Sequence, residues 1–223
     1  MPINPQAPLE ITAFNWVPDF AQGFVRDLRP RWACEEIGLD YSERLISAVK
    51  RPASHFADQP WGQVPTAKDG DVHLFESGAI LLHIAEKDER LLPRDPQGRA
   101  TVLSWLFAAF NSIEPSFFEL GNIDLFSKEE QWAELRRPGL VGFLGKRLDR
   151  LDQALGDKPW LAGEFSVADI AMVTILREGK EDAVIKDRPQ LAAYVERGMA
   201  RPAFERALSA QLAVFAAHPP KAA

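Results

Sequence analysis

Hydrophobic and polar positions alternate with strand spacing only in the first third of the chain and recur with helical spacing thereafter. Residues 11–16 are apolar and aromatic, and Pro18 ends the run, which predicts a short strand. Phe24, Leu28, Trp32 and Ile37 then fall close to helical spacing, and Gly38 supplies the stop. Pro30 either sits in the first turn of that helix or kinks it. A weak alternation over residues 41–46 predicts a second strand, and residues 51–62 a loop with a short helix. Residues 64–68 and 71–75 flank Asp69-Gly70, a favoured two-residue type I′ turn, and so predict a hairpin. Ser77 heads an apolar helix running to residue 85.

No convincing strand follows. Residues 91–99, with Pro93 and Pro96, read as a linker, and residues 99–110 as an apolar helix that bends past Pro115. Leu140, Leu144, Leu148, Leu151 and Leu155 form a helical stripe, with further helices over 166–177, 190–200 and after Pro202. The expected architecture is an α/β domain over residues 1–88, with a mixed four-stranded sheet and helices. A linker over 89–98 and an all-α helical bundle over 99–223 complete it.

Composition narrows the partners. At 46% apolar and 26% charged residues, the chain is that of an ordinary globular protein. A formal net charge of −6 argues against nucleic acid. Arg26, Arg29 and Arg31, interleaved with Asp27, Glu35 and Glu36, read as a solvated helix face. A single cysteine, Cys34, excludes an intramolecular disulfide. The N-terminus lacks the cationic and apolar segments of a signal peptide, and no apolar run spans a membrane; the expected location is cytoplasmic. No metal site is expected.

Three short motifs carry chemistry. Val64-Pro65 opens a strand with a residue that lacks the ladder donor, and a cis bond there turns neighbouring backbone groups outward, toward an extended peptide. Glu76-Ser77 lies at a strand-to-helix turn: Ser77 as cap and the free N–H groups suit a carboxylate, and Glu76 suits an amino group. Together they match the zwitterionic end of an amino acid. Ser166-Val167-Ala168-Asp169 is a capping-box variant flanked by Phe165 and Ile170, a structural device.

These segments resemble the cytosolic, bacterial-type glutathione S-transferase family. The resemblance rests on Gly62-Gln63-Val64-Pro65, the Asp69-Gly70 hairpin, Glu76-Ser77-Gly78-Ala79-Ile80, and Trp160-Leu161-Ala162-Gly163 leading into Ser166-Val167-Ala168-Asp169-Ile170. Arg31-Trp32-Ala33-Cys34-Glu35-Glu36-Ile37-Gly38 and Arg201-Pro202-Ala203-Phe204 are similar to the family's first and final helices. The resemblance implies a thioredoxin-like first domain in which Val64, ahead of a cis Pro65, pairs with the cysteinyl part of glutathione. It also implies that Glu76 and Ser77 hold the γ-glutamyl end, and that the molecule is a homodimer. Gln63 and His55 lie where related proteins contact the tripeptide, although His55 read by itself is an exposed loop histidine.

The chain departs from the family at the thiol-activating position. Members use a Tyr, Ser or Cys between the first strand and helix; here that position falls near Phe24. The candidates are the amides of Asn15 and Gln22, the Trp16 indole, Arg26, and backbone N–H groups around residues 23–25, with Asn15 first and Gln22 or Arg26 second. Cys34, two turns inside the helix, reads as an inert buried thiol. The second substrate is expected between the domains, with Trp105, Phe107, Phe110, Asn111 and Phe118 along the first long C-terminal helix. The expected function is a detoxifying glutathione transferase that adds the glutathione thiolate to a small apolar electrophile or uses it to reduce a peroxide. The alternative is a non-catalytic protein-interaction module on the same fold.

Overall fold

The computed structural model describes residues 3–180 and 182–219, apart from the side chain of Ala183. The chain divides into two compact units, Met1–Leu91 with Ala200–Ala223, and Leu92–Met199. The last helix thus belongs with the first unit, whereas the sequence pattern had grouped it with the helical bundle.

The first unit is a four-stranded sheet in the order β2-β1-β3-β4, with β1 at Leu9–Phe14, β2 at Ser42–Ile46, β3 at Thr66–Asp69 and β4 at Val72–Phe75. Strand β2 runs parallel to β1, and β3 and β4 continue antiparallel. Helices α1 (Leu28–Ile37), α2 (His55–Asp58) and α3 (Ser77–Ala85) complete the α/β layer. Pro30 occupies the first turn of α1, where its missing N–H costs least. The hairpin turn falls one residue later than the pattern suggested. Asp69 pairs with Val72, so the loop residues are Gly70 and Asp71. Gly70 has φ +59°, and Asp71 does not share a positive φ. A positive φ at the first loop position alone is the type II′ pattern, not I′.

Helix α1 has no solvent face: Leu28 through Glu35 are all buried. It packs on α3 and on the helix at Pro202–Ala217. That contact is aromatic at Trp32 against Phe204, with centroids 4.9 Å apart and nearly perpendicular rings. It is ionic at Glu36, which accepts from both Arg201 Nε (2.6 Å) and Nη2 (2.7 Å), and at Glu35, which accepts from Arg206 Nε. The reading of Arg29 and Arg31 as a solvated face is therefore corrected. Both are buried, Arg29 against Ser77 of α3 and Arg31 against Asp27, Tyr41 and Glu43.

In the second unit, α4 (Pro96–Ala108) starts at Asp95, whose Oδ1 accepts from the Gly98 N–H at 2.7 Å. A π-helical turn, Ala109–Ile113, joins it to α5 (Glu114–Gly121). The turn lies just before Pro115, where the sequence pattern predicts a bend: the proline ring would crowd the carbonyl four residues back, and a widened turn relieves it. A second π turn (Asn122–Phe126) precedes α6 (Gln131–Leu155), whose five-leucine stripe is buried throughout. The elements α7 (Val167–Leu176), α8 (Ala183–Lys186) and α9 (Pro189–Met199) follow, and the last helix, Pro202–Ala217, is α10.

Helix α7 is buried along its whole length and is fixed at its start by the capping box. Asp169 has no solvent exposure, and its Oδ2 accepts from Ser166 N–H and Oγ–H. Its Oδ1 accepts from Leu161 N–H (3.0 Å) and from Tyr194 O–H on α9 (2.8 Å). One carboxylate thus joins the helix start, the preceding loop and a neighbouring helix. Asp169→Ala strands these donors and is expected to cost about 3 kcal/mol in urea denaturation, against about 1 kcal/mol for Tyr194→Phe.

Candidate functional site

The sheet register collects the candidate residues at one end. Ile11 pairs with Ala67 and Thr66 pairs with Phe75, so the C-terminal end of β1, the start of β3 and the end of β4 lie together. The Thr66 hydroxyl donates to Thr12 Oγ1 at 2.9 Å across the same end. Asn15 follows β1, Val64-Pro65 precedes β3, and Glu76 follows β4. The bond between Val64 and Pro65 is cis.

Glu76 has φ +70°, the one positive φ at a non-glycine residue among those described. Such a conformation costs on the order of 1 kcal/mol or more and points to a functional demand on the turn. Glu76 occupies the N-cap of α3 with its side chain exposed and capping nothing. The cap role expected of Ser77 is therefore corrected: Ser77 is the first helical residue, and its buried Oγ accepts from Arg29 Nη1 at 3.0 Å. The uncapped first turn of a nine-residue helix offers backbone N–H groups and the positive end of its dipole to an anion. Arg29, missed by the sequence reading, locks the Ser77 hydroxyl from α1 and adds a buried positive charge.

The loop before β3 is also tightly tied. Arg44 Nη2 donates to Asp58 Oδ2 (2.7 Å) and Arg44 Nε to Thr12 Oγ1 (2.9 Å), which fastens α2 to the sheet. Gly62 has φ +66°, and a Cβ there would meet the Phe56 ring at 2.5 Å, so only glycine fits. Gln63 is exposed and Val64 buried. His55 is not the exposed histidine expected: its ring is fully buried, with Nε2 2.8 Å from the Gln63 carbonyl oxygen.

Between β1 and α1 the candidates separate. Gln22 spends its amide N–H groups on Val17 O (3.2 Å) and Asp19 Oδ1 (3.1 Å). Arg26 is half-buried and already partnered. The Phe24 N–H donates to Ala21 O, and the Leu28, Arg29 and Arg31 N–H groups donate to Val25, Arg26 and Asp27 carbonyls. Pro30 has no N–H, so these first-turn amides of α1 offer little to a thiolate. Trp16 packs against the apolar cluster of Val17, Val214 and Phe215. The half-buried Asn15 uses its backbone N–H on Ile46 O, and its side-chain amide has no partner among the described residues.

Deeper in α1, Asp27 accepts from Arg31 Nε (2.7 Å) and Gln211 Nε2 (2.8 Å). Burial pushes its carboxyl above the usual range, and the Arg31 charge opposes that. Cys34 has no exposure, and burial pushes its thiol far above the ordinary value. In the second unit, Trp105 is half-buried on α4, while Phe107 and Asn111 are exposed there and on the π turn. Among the described residues no group of three or more His, Cys, Asp or Glu is placed to hold a metal. Among the described residues no helix is long and apolar enough to cross a membrane.

Residues 12–86 match the glutathione S-transferase N-terminal domain, and residues 140–202 the C-terminal domain. Glutathione S-transferase F14 of Arabidopsis thaliana is 33% identical over 186 residues, 76% of this chain and 73% of that protein. A glutathione transferase from Burkholderia graminis, solved with two glutathione molecules bound per subunit, is 28% identical. Its TM-score is 0.78, over 90% of this chain and 87% of that one. A family member from Pseudomonas fluorescens with two glutathione bound gives 0.79 at 26% identity, over 91% and 94%.

The buried state of Cys34 generates a direct expectation. The native protein should leave a disulfide thiol reagent unconsumed over minutes, and one equivalent should react after denaturation, read by absorbance. Cys34→Ala should leave glutathione affinity unchanged.

Proposed function

Because the chain belongs to the glutathione S-transferase family, we propose that it is a glutathione transferase that binds reduced glutathione at the Val64, Glu76 and Ser77 end of its sheet. The observation that carries this reading is Glu76: a strained, exposed carboxylate at the start of an uncapped helix whose first hydroxyl is held by Arg29. In this reading the α3 amides and Ser77 bind the γ-glutamyl carboxylate, and Glu76 pairs with the α-amino group. Val64 pairs its backbone with the cysteinyl residue, and Gln63 contributes its exposed amide toward the glycyl end.

The thiolate then needs a donor. Lowering a thiol pKa by one unit takes about 1.4 kcal/mol of preferential stabilisation. Asn15 is the candidate with an uncommitted side-chain donor, and an amide N–H supplies that order of energy. Exposed Phe107 and Asn111, with Trp105, are the side chains proposed to meet a small apolar electrophile or a peroxide. The active form is proposed as a cytoplasmic homodimer. The exposed Phe56, Trp61, Val72 and Phe75 of the first unit supply apolar surface that a partner would cover. Sedimentation at twice the 24.9 kDa chain mass is the expected result, and a monomer would refute the dimer.

A second reading, a non-catalytic interaction module, draws on the satisfied amides at the start of α1. Calorimetry separates the two. Saturable binding of glutathione at one site per chain is expected at neutral pH, weakened by about 100-fold in Glu76→Ala without loss of fold. Asn15→Ala should retain that binding and lower the turnover of chlorodinitrobenzene by roughly 10-fold. Absence of glutathione binding at millimolar concentration would leave the interaction module.

A further inference from the structure

His55 opens α2, and its ring is buried without residual exposure. Nε2 lies 2.8 Å from the Gln63 carbonyl oxygen. A carbonyl oxygen only accepts, so Nε2 carries the proton and Nδ1 holds a lone pair. Nδ1 is itself buried and has no hydrogen-bond partner among the described residues. Leucine or phenylalanine would fill this space without stranding a polar atom. The imidazole therefore gains nothing from burial that an apolar side chain would not give, and its Nε2–H bond is what distinguishes it.

That bond acts on one peptide plane. The remainder of the loop is held without it: Gln59 N–H donates to His55 O, Gly62 N–H to Gln59 O, and Trp61 N–H to Gln59 Oε1. The Gln63–Val64 peptide is trans, so its carbonyl and its N–H point in opposite directions. With the carbonyl drawn onto the buried imidazole, the Val64 N–H is directed away from His55. No described residue accepts from that N–H.

We propose that His55 is a positioning residue for glutathione: its Nε2–H holds the Gln63 carbonyl and so aims the Val64 N–H at the cysteinyl carbonyl of the tripeptide. His55 does not touch glutathione itself, which replaces the direct contact expected from resemblance. The inference rests on the proposed pairing of Val64 with glutathione.

The test compares the full-length protein with His55→Leu and His55→Gln. Glutamine places an amide N–H at a reach similar to Nε2; leucine fills the space without a donor. Calorimetry with reduced glutathione should show about ten-fold weaker binding for His55→Leu, the equivalent of one hydrogen bond, and recovery of most of it for His55→Gln. In steady-state assays the Leu variant should raise KM for glutathione and leave kcat and KM for chlorodinitrobenzene unchanged. Equal affinity of the Leu variant and the wild type would overturn the proposal, as would a Gln variant as weak as the Leu variant. Should the Leu variant fail to fold, ¹⁵N NMR of the wild-type ring decides: a protonated Nε2 with bare Nδ1 is required, and the reverse tautomer overturns it. A wild type that binds no glutathione would instead overturn the glutathione reading, and the proposal with it.

Discussion

Arg31 sits in the middle of α1 with no solvent contact, and Asp27, Glu43 and the Tyr41 hydroxyl converge on its guanidinium. An ion taken out of water costs several kcal/mol unless its partners are in place, so this arginine tolerates only one arrangement of its neighbours. Asp27 belongs to the entry of α1, Tyr41 and Glu43 to the β2 region, and Gln211 reaches Asp27 from α10. The cluster thus pins three parts of the first unit together. The start of α1, from which Arg29 reaches Ser77, is fixed by it.

The local elements were legible in the sequence because each is written in neighbouring residues. The first strand (found at Leu9–Phe14 rather than over residues 11–16), the helix stopped at Gly38, the leucine stripe of α6 and the capping box at Ser166 depend on period and cap chemistry. Less legible was anything decided by a distant partner. Arg29 and Arg31 carry the signature of a wet helix face, and only partners further along the chain, Ser77 for one and Tyr41 and Glu43 for the other, make that face an interior. The hairpin turn slipped by one residue because Asp69-Gly70 and Gly70-Asp71 are both acceptable turn pairs. The pairing of Asp69 with Val72 chooses the second. His55 lies in a polar loop, and its burial follows from the Gln63 carbonyl eight residues on.

At the candidate site the same division holds. Val64-Pro65 and Glu76-Ser77 stand out in the sequence, and the register of β1, β3 and β4 brings them to one end of the sheet. The thiol-activating group has no such signature. Gln22 is turned to local partners, Arg26 is already partnered, and the first turn of α1 satisfies its own amides, a consequence of the tight turn that leads into it and of Pro30. What sets this chain apart from the usual pattern is a loop that spends its donors on itself and leaves Asn15 with one in hand.

The sandwiching of α1 by α10 also orders the life of the molecule. The sheet, its two main helices and the Glu76 turn are all made within the first 91 residues, yet the face that buries Trp32, Glu35 and Asp27 is not supplied until residues 201–215. During synthesis the half proposed to bind glutathione is therefore encoded first and sealed last. The entire helical unit lies between those two events in the sequence, so the face of α1 that carries Trp32, Glu35 and Asp27 has no α10 to pack against until the last residues are made.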